Sequence, residues 1–315
     1  MITAPKVLLL CSGRLAVPML HQLTSEGLLA AIAVSDTDPK AVQLLQQQTV
    51  SLRCPFHTLD KEDLSASLAR LCEAYQPTAV FVIGFPWRIP EALLSVPPRG
   101  FLNFHGGLLP ELRGPDPIFE AIRRELPETA LSVHLMDAGW DTGPVVCEDR
   151  FALPSHLTHG LLSTQLAYRC AQSLPALLDY LQQRIPYARP QTDISVRYFP
   201  RVTTAELYIK WATQPANAVA ALIRACNPVY GGAATMANGW TFRIVEAAVP
   251  PNATHTAAAG TLLALDETQG ALIQCCDGAL LQARVIGTDE GYFPASRLHE
   301  FGLVPGICFH APAAV

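Results

Sequence analysis

KVLLLCSGRLAVPMLHQLTSEGLLAAIAVS, residues 6–35, decides the fold. VLLL is a short, continuous apolar run of the kind that forms a strand buried on both faces. After the turn CSGR, the apolar positions of LAVPMLHQLTSEG fall at helical spacing, and Gly27 ends the pattern as a glycine does beyond a helix C-terminus. LLAAIAVS is then a second strand. Strand, helix and strand within about 30 residues make a crossover unit that joins two parallel strands. The alternation continues downstream. AVQLLQQQ (41–48) and LSASLARLCEAY (64–75) have helical periodicity, whereas TAVFVIG (78–84) and GFLNFH (100–105) are rich in Val, Ile and Phe and bounded by Pro or Gly. The N-terminal part is therefore predicted to be an α/β domain with a Rossmann-like, doubly wound, mostly parallel sheet and right-handed crossovers. Such sheets keep their ligands at the carboxyl ends of the strands.

The turn Cys11-Ser12-Gly13-Arg14 carries one glycine, so the G-x-G-x-x-G fingerprint of dinucleotide folds is absent; G-x-x-x-x-G-K-[ST] occurs nowhere. Neither a nicotinamide dehydrogenase nor a P-loop ATPase is supported. At 315 residues the chain is about twice an ordinary domain, and two domains are expected. Half of its residues are apolar and 16% are charged, which supplies a large core and excludes disorder for most of the length. No apolar run reaches the roughly 18 residues of a membrane span. Val7–Leu10 is too short for a signal-peptide core, which predicts a cytoplasmic protein. The nine cysteines, odd in number, irregularly spaced and mostly within apolar stretches, read as buried structural thiols.

Net charge is −5, divided as −3 over residues 1–200 (16 basic, 19 acidic) and −2 over residues 201–315 (6 basic, 8 acidic). A nucleic-acid reader normally needs a basic face, and neither part supplies one; no DNA partner is expected. ETALSVHLM (128–136) and GPVVCEDRFAL (143–153) alternate like paired strands across the turn DAGWDTG, and residues 161–183 then read as one long helix. Periodicity breaks over the following 20 residues, which places a boundary between domains 1–202 and 203–315. The second domain has one clear helix, ANAVAALIRAC (216–226), begun by Pro215, and then short strands with Asn238-Gly239 as a hairpin turn, an all-β module of barrel type.

The chemistry is concentrated in residues 101–144, FLNFHGGLLPELRGPDPIFEAIRRELPETALSVHLMDAGWDTGP. Asn103 and His105 are two apart at the end of a strand, so both face one side and Phe104 the other. Two glycines follow and leave the space beside His105 open to a ligand. Asp141, in the turn between Gly139 and Gly143, is placed to orient an imidazole as acids do in other triads. Alone, His105 also fits a hydrogen-bonded rim group and Asp141 a routine turn residue. His134, His156 and His159 read as structural, because no third-ligand pattern accompanies the His156/His159 spacing, and no metal is expected. Asp116 reads as a loop residue, and Trp87 and Trp140 as packing aromatics or flat-ligand surfaces.

The order N-x-H (103–105), LLP (108–110), RGxxP (113–117) and MDxGxDTG (136–143) resembles the folate-dependent formyltransferases, most closely the branch that formylates methionyl-tRNA and nucleotide-linked amino sugars. The likeness extends to LAVPML (15–20), VIGFPWRIP (82–90), YIKW (208–211), LIRACNP (222–228) and GLVPG (302–306). It implies a formyltransferase domain followed by a smaller, OB-like β domain. It also implies transfer of a formyl group from 10-formyltetrahydrofolate to an amine through a tetrahedral intermediate. Asn103 would donate to the oxyanion, and His105 would take the amine's proton or stabilise the oxyanion. Asp141 would hold His105, favour its protonated form and pass protons toward the folate nitrogen through water. The pterin would enter between Phe85, Pro86, Trp87, Arg88 and Ile89 on one side and Ala138, Gly139 and Trp140 on the other. Gly107, Leu108, Leu109 and Pro110 would form the adjoining wall. Ser12, Gly13, Arg14 and Arg113 would border the acceptor, with Arg88 and Arg113 suited to the folate glutamate or an acceptor phosphate.

Three departures bear on the acceptor. Cys11-Ser12-Gly13-Arg14 stands where the family has a Gly-Thr-Pro type turn, and Gly107 stands where it has Ser. SDTDPKAVQLLQQQTV (35–50), with Lys40 as its one cation, stands where the tRNA-modifying enzymes carry a basic, Gly-rich insertion. With the acidic C-terminal domain, the missing basic insertion favours a small or carrier-linked primary amine: an amino sugar on a nucleotide or a biosynthetic aminoacyl intermediate. Methionyl-tRNA is the alternative acceptor. A folate-binding homologue without turnover is the third reading, opposed by the intact Asn103, His105 and Asp141. A homodimer is compatible with the sugar branch, a monomer with the tRNA branch.

Overall fold

The computed structural model describes residues 4–182, 188–192 and 194–312. In chain order its N-terminal elements are β1 (Val7–Cys11), α1 (Val17–Ser25), β2 (Leu29–Ser35), α2 (Pro39–Leu52), β3 (Phe56–Leu59), α3 (Leu64–Tyr75), β4 (Ala79–Ile83) and β5 (Phe101–His105). They are followed by α4 (Pro117–Arg123), β6 (Glu128–Leu135), β7 (Val145–Ala152), α5 (His159–Gln172) and α6 (Leu174–Leu181). One seven-stranded sheet runs in the order β3-β2-β1-β4-β5-β6-β7. Its first five strands are parallel and β6 is antiparallel to β5.

The chain winds from β1 outward to β3 and then returns to place β4 on the other side of β1, a switch point that opens a crevice at the carboxyl ends of the strands. Cys11 pairs with Ile83, and Ile83 with Phe104. The turns after β1, β4 and β5 therefore emerge side by side, which is what assembles the site. The sheet is held from beneath by apolar packing. Leu8, Leu10, Ala31, Ala33, Val80 and Val82 cluster with Leu64, Leu68 and Leu71 of α3 and with Phe101. Phe104, pointing opposite to Asn103 and His105, packs on Phe81 with ring centroids 5.2 Å apart.

Two elements exceed the sequence expectation. β3 is FHTL, too short and too polar for a periodicity signal, and α4 is a seven-residue helix begun by Pro117. A third expectation is corrected: residues 161–183 are not one helix. Pro175 has no N–H for the carbonyl four residues back, so the helix stops at Gln172 and restarts as α6 with its proline in the first turn. Ser173 bridges the break by donating its hydroxyl to Cys170 O. The expected end at Gln183 lies outside the described residues.

Contacts divide the molecule into two compact units. Residues to Pro117, Thr129–Phe151 and Ser163–Phe199 form the sheet unit, and Ile118–Glu128, Ala152–Leu162 and the chain from Pro200 form the second. The second contains α7 (Ala216–Cys226), β8 (Ala233–Ala237), β9 (Trp240–Ala248), β10 (Leu262–Asp266), β11 (Gly270–Gln274), β12 (Leu280–Thr288) and β13 (Gly291–Pro294). The last six are antiparallel neighbours in the order β10-β11-β12-β9-β8, with β13 beside β12. Residues 306–310 bond to both edges: Met236 exchanges two backbone bonds with His310, and Leu262 exchanges two with Ile307 and Gly306. That segment closes the sheet into a barrel, leaving no free edge there. Asn238 and Gly239, at φ 49° and 79°, form the predicted two-residue turn between β8 and β9.

All nine cysteines are free thiols. The expectation of buried thiols holds for Cys11, Cys72, Cys170, Cys226 and Cys275, but Cys276 and Cys308 are exposed and Cys54 and Cys147 are half-buried. Cys275 is buried just beyond β11, and Cys276 is exposed in the turn that follows. Among the described residues no helix is long and apolar enough to cross a membrane.

Candidate active site

β5 delivers Asn103 and His105 to the open end of the sheet, and β6 runs antiparallel beside it with His134 opposite Asn103 and Ser132 opposite His105. Directly opposite residues of an antiparallel pair bring their side chains together. Asn103 Nδ2 accordingly lies 3.1 Å from His134 Nε2, and 3.3 Å from Asp141 Oδ1, which arrives from the turn beyond β6. Asp141 Oδ1 is also 3.7 Å from His105 Nδ1 and 3.5 Å from His134 Nε2. The three residues expected to act together do converge, with His134 as a fourth member that had read as structural.

Each ring nitrogen has a partner that helps fix its proton. His105 Nε2 donates to Leu112 O at 2.6 Å, so the neutral ring carries its hydrogen there and its Nδ1 lone pair lies toward Asp141. Burial pushes the His105 pKa down, and this outweighs the Asp141 charge, which pushes it up. The expected pull of Asp141 toward the protonated ring is present, but at 5% exposure desolvation of the cation is the larger effect. For Asp141 the balance is reversed. Burial alone would raise it, but the His134 and His105 rings and the Gly114 N–H, which donates to Oδ2 at 2.9 Å, hold its pKa at about 2.

Asp141 has left-handed backbone, φ 54°, a conformation that costs a non-glycine residue about 1 kcal/mol or more unless its surroundings fix it. Gln191 supplies the fixing. Its Nε2 donates to Asp141 O and Gly143 O at 2.8 Å each, while its Oε1 accepts from Arg113 Nε and Nη2 at 3.0 and 2.7 Å. Arg113, expected at a glutamate or phosphate, is thus engaged in clamping the Asp141 turn. Gln191 lies in an aperiodic stretch about 50 residues downstream, and nothing in its neighbours marks it.

The remaining expected residues lie in the turns after β1, β4, β5 and β6, with differing freedom. Phe85 and Trp87 meet edge to face at 5.3 Å. Arg88 donates to Ala138 O and lies 5.9 Å above the exposed Trp140 ring, joining the two segments expected to flank the pterin. Ile89 is 3% exposed and belongs to the core, so it offers the crevice only backbone. Gly139 N and Thr142 Oγ1 both donate to Asp137 Oδ1, which shapes the turn. Ser12 Oγ accepts from Ser35 Oγ at 2.8 Å, Gly13 is extended and half-buried, and Arg14 is exposed.

Gly107 is closely surrounded. A Cβ there would lie 2.6 Å from Pro117 Cβ, 3.1 Å from Leu112 Cβ and 3.3 Å from His105 Nε2. Leu109 and Pro110 are buried, Leu108 is half-buried, and Ser132 donates to Gly107 O at 2.8 Å. This loop is packed around a missing side chain, which brings the Leu112 carbonyl onto His105. Among the described residues no group of three or more His, Cys, Asp or Glu side chains is arranged to hold a metal.

Residues 6–178 match the model of the formyl transferase family, and residues 201–288 match that of its C-terminal domain. A methionyl-tRNA formyltransferase of Xanthomonas campestris pv. campestris is 35% identical over 266 residues, covering 84% of this chain and 81% of that protein. An N-formyltransferase from Helicobacter canadensis, solved with folinic acid and dTDP-3-aminofucose, superposes with a TM-score of 0.66 at 15% identity over 89% of this chain and 98% of its own. Aquifex aeolicus HypX, solved with tetrahydrofolic acid, gives a TM-score of 0.64 at 16% identity over 94% of this chain, which spans 47% of HypX. At such identities the two structures speak for the fold, whereas the two family models and the 35% relative cover both parts of the chain: it belongs to the formyl transferase family.

Proposed function

We propose that the chain transfers a formyl group from 10-formyltetrahydrofolate to a primary amine at Asn103, His105 and Asp141. The observation that carries this reading is the state of His105: buried, neutral, anchored through Nε2 to the Leu112 carbonyl, with its basic Nδ1 beside a carboxylate. Such a group takes a proton from an attacking amine, and Asp141 then stabilises the imidazolium. Because the Asp141 pKa stays at about 2, the carboxylate remains charged throughout the working pH range. The Asn103 amide, whose hydrogens lie toward His134 and, in a long 3.3 Å contact, Asp141, can turn the second one to the oxygen on which charge develops, an interaction worth roughly 3 kcal/mol in a preorganised site.

The residues around the crevice fit the donor. Phe85, Trp87 and the exposed Trp140 offer aromatic faces for a pterin, and the Phe85–Ile89 and Ala138–Asp141 segments offer backbone groups. When bound, the donor supplies the electrophilic formyl carbon; the chain supplies orientation, the base and the hydrogen-bond donor.

Two acceptors are supported by different observations. The α-amine of methionyl-tRNA is supported by the curated relatives, which carry that name at 35–38% identity. A small or carrier-linked amine is supported by the charge: −2 over residues 201–315, and Lys40 as the one cation in residues 35–50. Release of tetrahydrofolate separates them, measured with charged initiator methionyl-tRNA beside amino-sugar nucleotides and amino-acid amides over a range of salt. Efficient, steeply salt-dependent turnover of the tRNA selects the first, and turnover confined to small amines selects the second. No release with any amine, while tetrahydrofolate still binds, would sink the transferase reading.

A further inference from the structure

His134 is a buried titratable group that this function leaves unused, and its contacts are more specific than packing requires. Its Nδ1 lies 2.8 Å from Leu135 O, and a carbonyl can only accept, so Nδ1 carries a hydrogen. Its Nε2 lies 3.1 Å from the amide nitrogen of Asn103. That amide atom is identified as nitrogen by its other neighbour, the Asp141 carboxylate oxygen at 3.3 Å, which also can only accept. Nε2 has two neighbours, the amide nitrogen at 3.1 Å and Asp141 Oδ1 at 3.5 Å, and the shorter contact makes it the acceptor of an amide hydrogen in the neutral Nδ1–H tautomer. At 2% exposure and opposite Asn103 on the neighbouring strand, His134 has little room to do otherwise.

We infer that His134 is a positioning residue that sets the orientation of the Asn103 amide for formyl transfer, an inference that rests on the proposed function. It takes one amide hydrogen at a normal hydrogen-bond distance. The second hydrogen is left in a long, weak contact with Asp141, from which it can turn to an oxygen gaining charge. By drawing the amide toward β6, His134 also keeps Asn103 from closing onto Asp141 Oδ1, the oxygen that faces His105. Loss of the imidazole acceptor would let the amide settle fully on Asp141 or turn its own carbonyl toward the reacting group, and either would weaken the transition state more than substrate binding.

The kinetic test is a cycle of His134→Leu, His134→Gln, Asn103→Ala and the Asn103→Ala/His134→Leu double variant, with thermal unfolding and tetrahydrofolate binding recorded for each. The expected result is at least a tenfold fall in kcat for His134→Leu with tetrahydrofolate Kd within twofold. His134→Gln, which keeps an acceptor, should recover most of that loss, and His134→Leu should cost little more once Asn103 is gone. Equal losses from His134→Leu in both backgrounds, or kcat within twofold of the parent, would overturn the inference. A second measurement does not depend on turnover. Imidazole ¹⁵N shifts of the histidine-labelled protein near pH 7 should show His134 as the Nδ1–H tautomer, with its Nε2 signal moving in Asn103→Ala. An Nε2–H tautomer or an imidazolium there would overturn the inference even in an active enzyme. An inactive parent protein with the expected shifts would instead count against the proposed function and leave the hydrogen-bond assignment standing.

Discussion

Asp141→Asn removes the charge beside His105 and leaves most of the geometry, because the amide oxygen can still accept from the Gly114 N–H. Across 3.7 Å, with an effective dielectric constant of about 20, a carboxylate and an imidazolium attract by roughly 4 kcal/mol. If the proton is about half transferred at the transition state, about 2 kcal/mol of stabilisation is lost, which corresponds to a fall of ~30-fold in kcat. The new amide NH₂ would also point a donor at the Asn103 amide, so the loss should be no smaller than this. The assay is steady-state release of tetrahydrofolate with the best acceptor, with Kd for tetrahydrofolate measured separately. The expected outcome is a large fall in kcat with donor affinity within about twofold of the parent. A kcat within threefold of the parent, or a loss confined to KM for the donor, would refute the electrostatic role given to Asp141.

Other expectations follow from the same structure. Gly107→Ser, which restores the family's residue, places a Cβ 2.6 Å from Pro117 Cβ and 3.1 Å from Leu112 Cβ, and overpacking of this kind should cost roughly 1–3 kcal/mol. An unchanged Tm in scanning calorimetry would show that the loop yields freely. Gly239→Ala meets nothing within 4 Å, yet its φ of 79° should cost about 1 kcal/mol from backbone strain alone, read from the urea midpoint. His105 is depressed by burial, so below its ordinary pKa the unfolded chain binds a proton that the folded chain resists, and stability must fall as pH drops. His105→Gln should therefore lose less stability than the parent between about pH 7.5 and 5.5; equal losses would show that other groups carry the effect. Asp141 acts at lower pH: with its pKa depressed to about 2, its contribution is complete above the unfolded value and lost as pH falls from 3.8 toward 2.

Much of the fold was legible because its signals are local. VLLL and AVFVI are continuous apolar runs, Gly27 and Pro215 punctuate helices, and Asn238-Gly239 suits a two-residue hairpin. That Asn103 and His105 share a face was legible from strand alternation, whereas the roles expected of them and of Asp141 came from the resemblance of the motifs N-x-H and MDxGxDTG. What was not legible depends on register and burial. The alternation in ETALSVHLM assigns His134 to a face, but only the pairing of β6 with β5 puts it opposite Asn103. Gln191 and Arg113 clamp the Asp141 turn from segments 78 residues apart, with no periodicity to link them. The charge of His105 follows from its desolvation, which a sequence does not display. The break at Pro175 had a local signal, outweighed by helical periodicity on both sides.

The most direct test of the central claim is a single-turnover comparison of the parent protein and His105→Ala, with 10-formyltetrahydrofolate and the acceptor that the parent uses best, monitored by formation of the formylated amine. The account predicts that His105→Ala folds, binds tetrahydrofolate with nearly parental affinity and forms product at least about a hundredfold more slowly, the range general-base catalysis supplies. Product formation at a near-parental rate in a folded His105→Ala protein would contradict it.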